Sequence, residues 1–201
     1  MMIIMRKSTI NARAATKDAT HERIVSVAAR AIRRSGYNGT GVADIMKEAG
    51  LTHGAFYAHF ASREAMLTEA VSKACAESAA AASDRVASEP TDAALSAMLS
   101  AYLSPAHVQN NELGCPLAAL GSETARQGTD VRRAVTRHTK EMVDLIARQS
   151  PQWGQPAAHA QALVTLSTLV GTLILARAVD DAGLSDSLRD AALQHLLSPR
   201  H

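Results

Sequence analysis

Apolar residues recur at three- and four-residue intervals along almost the whole chain, the spacing that turns one face of an α-helix toward a core. The first such run follows Thr20, a residue suited to capping a helix, and carries Ile24, Val27, Ala28, Ala31 and Ile32 as far as Ser35-Gly36. Asn38-Gly39 then predict a turn, because both residue types tolerate left-handed backbone. A short second helix is predicted over 42–49 on Val42, Ile45, Met46 and Ala49, with Thr40 before it and Gly50 closing it. Leu51-Thr52 alone separate it from a third short helix, 53–60, in which Phe56 and Phe60 share a face. Ser62 caps a fourth, predicted over 62–88 on Leu67, Ala70, Val71, Ala74 and Cys75 and ended by Pro90.

Beyond Pro90 the pieces lengthen. Thr91 starts a helix with Leu95, Met98, Leu99 and Tyr102, which Pro105 breaks, and the polar stretch 107–114 reads as a loop. Next come a short helix over 117–125, a long one to residue 149 with Val131, Val135, His138, Met142 and Ile146 on one side, the most apolar stretch at 157–179, and a last helix over 185–197. No segment shows strand alternation and no internal repeat is present. With 47% hydrophobic and only 3% aromatic residues, the composition suits Ala- and Leu-rich helices. A chain of 201 residues has room for one small module and one larger one.

The net charge of +2 says little until it is divided. Residues 1–65 hold ten Lys/Arg against five Asp/Glu, and the remainder eleven against fourteen. A basic N-terminal third on a mildly acidic body is the asymmetry of a protein that meets a polyanion at one end. Arg6, Lys7, Arg13 and Lys17 precede any apolar repeat, so residues 1–18 are expected to be a mobile basic arm. Two cysteines without CxxC spacing make no disulfide framework and fit a reducing, cytoplasmic setting. The apolar start MMIIM is too short for a signal segment, and no uninterrupted apolar run has membrane-spanning length. Neither a phosphate-binding loop, a dinucleotide fingerprint nor an HExxH zinc motif occurs, so no enzyme, cofactor or metal site is expected.

Two short helices joined by a tight turn at Gly50 form a helix-turn-helix pattern, whose second helix enters the DNA major groove. Gly36-Tyr37, Thr40 and the run Gly50-Leu51-Thr52-His53-Gly54-Ala55-Phe56-Tyr57-Ala58-His59-Phe60, with Arg63 where a Lys is usual and Leu67 after it, resemble the TetR/AcrR family of transcriptional regulators over residues 20–70. The resemblance implies an all-α protein: an N-terminal three-helix helix-turn-helix DNA-binding domain (19–65) and a C-terminal helical ligand-binding and dimerisation domain (66–201). It implies that Thr40, Tyr57, His59 and Arg63 hold phosphates, while Thr52, His53 and Gly54 approach base edges. A homodimer on a palindromic double-stranded operator, a small organic effector that releases it, a repressor's role and no membrane partner follow as expectations.

For the larger domain, Met98, Tyr102, Cys115, Leu117, His138, Met142 and Trp153 are the candidate effector-pocket residues. Leu166, Leu169, Val170, Leu173 and Ile174, with Leu188, Ala192 and Leu196, are the candidate dimer contacts. Cys115, at a helix start where a thiol's pKa falls, is a candidate electrophile or redox sensor. A catalytic Cys nucleophile is the remaining and weaker alternative, since nothing pairs it with a base. Effector binding is expected to tilt the helix 62–88 and so shift the population between two dimer shapes.

Overall fold

The computed structural model describes residues 2–198, with side chains from residue 15 onward, and it contains no strand among the described residues. Its first helix, α1 (Met2–Ser35), begins well before the expected Thr20 start. Thr20 turns its hydroxyl back onto the Thr16 carbonyl at 2.8 Å, a bond made inside a continuing helix and not at a cap. The side chains of Arg6, Lys7 and Arg13, which carry the expected basic arm, lie outside the described residues.

The chain leaves α1 through Gly36, whose φ of +75° is the left-handed stop that glycine adopts without strain. Helix α2 (Val42–Glu48) ends in a double closure at Gly50, φ +70°: the Gly50 N–H reaches the Lys47 carbonyl at 3.0 Å and the Leu51 N–H the Met46 carbonyl at 2.8 Å. The third helix is a 3-10 helix, His53–Ala58, shorter than the expected 53–60. Six residues between two tight turns favour the narrower winding, and the N–H groups of His59 and Phe60 both return to the Phe56 carbonyl, at 2.9 and 3.0 Å. Helix α3 (Arg63–Ala87) starts where Ser62 predicts, its side chain accepting the Ala65 N–H at 3.1 Å.

Seven helices from α3 onward build the larger part: α3, α4 (Thr91–Tyr102), α5 (Pro105–Gln109), α6 (Pro116–Thr124), α7 (Thr129–Arg148), α8 (Pro156–Ala178) and α9 (Ala182–Leu197). Helix α5 runs into the first part of the expected loop 107–114, because proline at the first helical turn forfeits no bond and Ser104 caps it, accepting the His107 N–H at 3.2 Å. Helix α9 starts three residues before the expected Ser185. Asp181 caps it instead, and the Ser185 hydroxyl bridges back to the Ala176 carbonyl at 2.9 Å, closing the α8–α9 corner.

Two hydrophobic clusters follow. The first joins Ile24, Ile32, Tyr37, Met46, Phe56 and Phe60 to the N-terminal half of α3, and also takes in Leu120 of α6 and Val131 of α7. The second packs Leu99, Leu103, Met142, Ile146, Leu169 and Leu173 between α4, α7 and α8. Helix α3 belongs to both, so the small and large modules share a rod and are not separated by a linker. Helix α8 is long and apolar enough to cross a membrane by length and composition, yet its Leu166, Leu169 and Leu173 are packed inside this second cluster.

Candidate nucleic-acid interface and ligand cavity

The small domain presents Thr52, His53, Gly54, Tyr57 and Ala58 to solvent on the 3-10 helix, while Phe56 and Phe60 stack inward at 5.4 Å between ring centroids. Tyr57 is 72% exposed and stands edge-on to Phe56 and His53. An aromatic hydroxyl held this far out, beside small residues, has reach for a phosphate and leaves room for a nucleic-acid backbone. Lys47, exposed in the last turn of α2, and Lys17 on α1 make no ion pair among the described residues, so their charge is available to a polyanion. Sequence reasoning passed over Lys47. Its signal is an exposed cation in the last turn before Gly50, with Asp44 three residues earlier making no ion pair with it.

Two of the four expected phosphate holders are turned inward. Thr40 is buried, and its hydroxyl is spent on the Gly36 carbonyl at 2.9 Å and the Ala31 carbonyl at 3.2 Å. Arg63 donates through Nη2 to the Tyr37 carbonyl and, at 3.3 Å, to the Thr40 carbonyl. Those carbonyls lie past the end of α1, where no helical N–H can satisfy them, so the guanidinium at the start of α3 clamps the turn through Nη2. His59 is half-buried between His21 and Phe60, with Nδ1 unpartnered. Burial, aided by His21 and Lys17, lowers its pKa, which disfavours a cationic phosphate contact. His21 itself stacks on Phe60 at 4.6 Å and bonds Glu69 at 2.6 Å, tying α1 to α3.

The larger domain holds a half-open cavity of about 230 Å³, walled by Ala81, Ala82, Met98, Ala101, Met142 and Leu169, with Tyr102, His107 and Cys115 among its polar lining. Of the expected effector residues, Met98, Tyr102, Cys115 and Met142 meet here. Three do not. Leu117 is buried in the neighbouring core, His138 is sealed at 1% exposure, and Trp153 is 51% exposed on the α7–α8 turn, under Arg148 at 5.5 Å. Trp153 follows a helix end that points it away from the bundle, which periodicity alone does not reveal.

His107 is fixed on the cavity wall through both ring nitrogens: Nδ1 donates to the Tyr102 carbonyl at 2.6 Å, and Nε2 accepts the Cys115 N–H at 3.0 Å. That pattern defines a neutral ring, and burial lowers its pKa accordingly. Cys75, the other thiol, is buried and pushed up to about 12 by desolvation, so it is inert. No group of three or more His, Cys, Asp or Glu among the described residues is arranged to hold a metal ion.

Cavity and DNA-facing domain are physically joined. At one end of α6, Cys115 lines the cavity. At its other end Glu123 accepts the Tyr37 N–H at 3.0 Å, and Thr124 meets the Tyr37 hydroxyl at 3.3 Å. Tyr37 is fully buried there, and desolvation pushes its pKa up to about 12. In parallel, the buried Arg33 of α1 bonds Glu77 of α3 at 2.7 Å, one residue before Ser78 of the cavity wall. Glu123, Thr124, Arg33 and Glu77 were not among the sequence candidates. Arg33, Glu123 and Thr124 stand near helix ends and Glu77 in mid-helix, and the partners of all four lie far along the chain.

An exposed recognition face on a helix-turn-helix, docked onto a helical bundle with a half-open cavity, defines a DNA-binding regulator of two helical domains. Residues 24–70 match the family model described as bacterial regulatory proteins, tetR family. An uncharacterized HTH-type transcriptional regulator of Mycobacterium tuberculosis is 30% identical over 164 residues, spanning 78% of this chain and 83% of the relative. Among solved structures, a TetR-family regulator of Agrobacterium tumefaciens superposes with a TM-score of 0.76 at 21% identity, over 90% of this chain and 100% of the other. A TetR regulator of Chloroflexus aurantiacus gives 0.73 at 25% identity, over 90% and 96%, and the reduced form of Escherichia coli NemR 0.72 at 18%, over 89% and 95%. The chain belongs to the TetR family of transcriptional regulators.

Proposed function

We propose that this regulator is a homodimeric repressor that holds a palindromic operator and releases it when a small molecule enters the cavity. The observation that carries the reading is the shared framework: α6 and α3 each line the cavity with one segment and grip the DNA-facing domain with another. A ligand that shifts Cys115 acts on a helix whose other end holds Tyr37, and one that shifts Ser78 acts on the residue next to Glu77 of the Arg33 clamp. Bistable packing converts such small shifts into domain rotation.

The dimer contacts are redrawn by burial. Leu166, Leu169, Leu173, Ala192 and Leu196 serve the subunit's own core, and Val170 and Leu188 are half-buried. Ile174 is exposed, together with Leu163, Val164 and Leu175 on α8 and Leu184 and Leu197 on α9. Positions 163, 164, 174 and 175 fall on one helical stripe, which suits a partner's copy of the same helix pair. This stripe supports a four-helix interface about a two-fold axis.

Footprinting on the chain's own upstream DNA tests the reading: a protected palindrome, lost on adding a cavity ligand, is the expected result. Tyr57→Phe should weaken binding by about 1 kcal/mol. Lys47→Ala should reduce the slope of log K against log salt by about 0.9. Undiminished binding and an unchanged salt slope would remove this docking model. A second reading has one observation in its favour: Cys115 is buried, yet it lines the cavity, so a reagent small enough to enter would meet a thiol at a helix start. Under that reading Cys115→Ser abolishes operator release by electrophiles or oxidants and spares release by unreactive ligands.

A further inference from the structure

The cavity is apolar but not electrically neutral. No Asp or Glu lines it. Arg85 of α3 does, and this exposed guanidinium makes no ion pair among the described residues. A second guanidinium, Arg177 of α8, lies against the wall from behind. Its Nη2 sits 2.7 Å from where a Cβ on Gly114 would be, an approach only glycine permits. Arg177 donates to the carbonyls of His107 at 2.6 Å, Val108 at 3.2 Å and Asn110 at 3.4 Å, so neutral oxygens take its hydrogen bonds and no carboxylate takes its charge.

Other features at the same wall point the same way. Helix α6 follows Cys115 with Pro116 at its first turn; neutral His107 takes the Cys115 N–H, the Cys115 side chain makes no cap, and no carboxylate in the cavity lining answers the positive end of the helix. The Tyr102 hydroxyl is buried beside the Cys115 thiol, a weak partner at best, and no nitrogen or oxygen takes its hydrogen bond, which leaves its donor open to a better acceptor. Desolvation raises the Tyr102 pKa well above its ordinary value, which keeps that proton in place. His107, held neutral through both nitrogens, supplies no charge of either sign. A cationic ligand would face two guanidinium groups with no counter-ion. A neutral one would leave the field of Arg85, Arg177 and the α6 terminus unanswered.

We infer that the cavity takes a small organic acid, its apolar body against Met98, Met142 and Leu169 and its carboxylate answering Arg85, Arg177 and the Tyr102 hydroxyl. This rests on the cavity being the effector site. At about 230 Å³ it lies below the ~300–1,000 Å³ of drug-sized pockets, so the acid is compact.

The test is calorimetric titration of the full chain at pH 7.5 and fixed ionic strength with octanoate and 3-phenylpropanoate, their methyl esters, and octylamine. Saturable binding of an acid, with its ester at least tenfold weaker and the amine silent, is the expected result. Arg85→Ala should cost the acid tenfold or more and bring acid and ester within about twofold of each other. Because Arg85 is exposed, that variant leaves the fold intact, as its melting temperature would verify. Tyr102→Phe should weaken the acid alone. An ester or amine that binds as tightly as the acid, an acid preference that survives Arg85→Ala, or no binding by either acid overturns the inference. Operator binding is read separately. An ester that binds as tightly as the acid and releases DNA overturns the acid preference and keeps the ligand-released regulator. An acid that binds as expected and leaves the operator complex untouched sustains the acid site and overturns release from this cavity.

Discussion

His138 shows how much one side chain can cost. It sits on α7 at 1% exposure with both ring nitrogens unpartnered, and burial lowers its pKa from 6.5 to about 4. Above pH 6.5 the ring is neutral folded and unfolded, and the fold loses nothing. As pH falls from 6.5 toward 4 the unfolded chain takes up a proton that the folded chain refuses, so stability declines through that window and levels off below it. The full cost is on the order of 3 kcal/mol at 1.36 kcal/mol per pKa unit. His138→Leu should remove that slope in urea melts between pH 7 and 4, and should not destabilise at neutral pH, since it exchanges two unsatisfied nitrogens for methyl groups. Arg63 has the opposite character. With its Nη2 on the Tyr37 and Thr40 carbonyls, Arg63→Ala should lower the melting temperature and cost about 1–3 kcal/mol, leaving the salt slope of DNA binding nearly unchanged. The motif singled out Arg63, and its Nη2 bonds backbone carbonyls because a basic residue at a helix start answers whichever oxygen is nearest once the chain has folded.

At the scale of elements, apolar periodicity was enough to place α2, α3, α4, α6, α7 and α8 to within a residue or two, because each buries one face for about the length of its pattern. Deviations arose where hydrogen bonding at an end, and not periodicity, sets the boundary. Asp181 starts α9 early, Ser104 with Pro105 starts α5, which runs into an expected loop, and Thr20 is absorbed into α1. The junction of α1 with α6 is the most exacting of these contacts. Gly36 is left-handed, and a Cβ there would lie 2.3 Å from Glu123 Oε1. Gly36→Ala should therefore cost about 1–2 kcal/mol from backbone strain and also displace Glu123 from the Tyr37 N–H. The expected signature is a protein that still binds operator while its ligand-induced release is weakened, measured by fluorescence anisotropy with and without ligand. A wild-type release response would show that α6 does not carry the signal.

On the whole molecule, the exposed stripe of Leu163, Val164, Ile174 and Leu175 is the face that a second copy would cover. Leu175→Glu, placed on that stripe at 53% exposure, should leave the subunit folded and shift the light-scattering mass from two chains to one. Operator affinity should fall with it, because two half-sites would no longer be held by one body. The same helix shows where legibility ends. Its Leu and Val positions were plain in the sequence, but α8 is apolar all round, so which of them face the subunit's core and which face outward has no periodic signature. By itself the sequence determined the all-helical class, the helix-turn-helix with its outward Thr52, His53 and Tyr57, and the basic N-terminal third, since these depend on local spacing and composition. Tertiary structure alone decided that Arg63 and Thr40 work internally, that Tyr37 is the seat of α6, and that two arginines far apart in the chain flank one cavity. Such pairings join residues tens of positions apart, and their energies come from desolvation and hydrogen-bond geometry that exist only after the helices have packed.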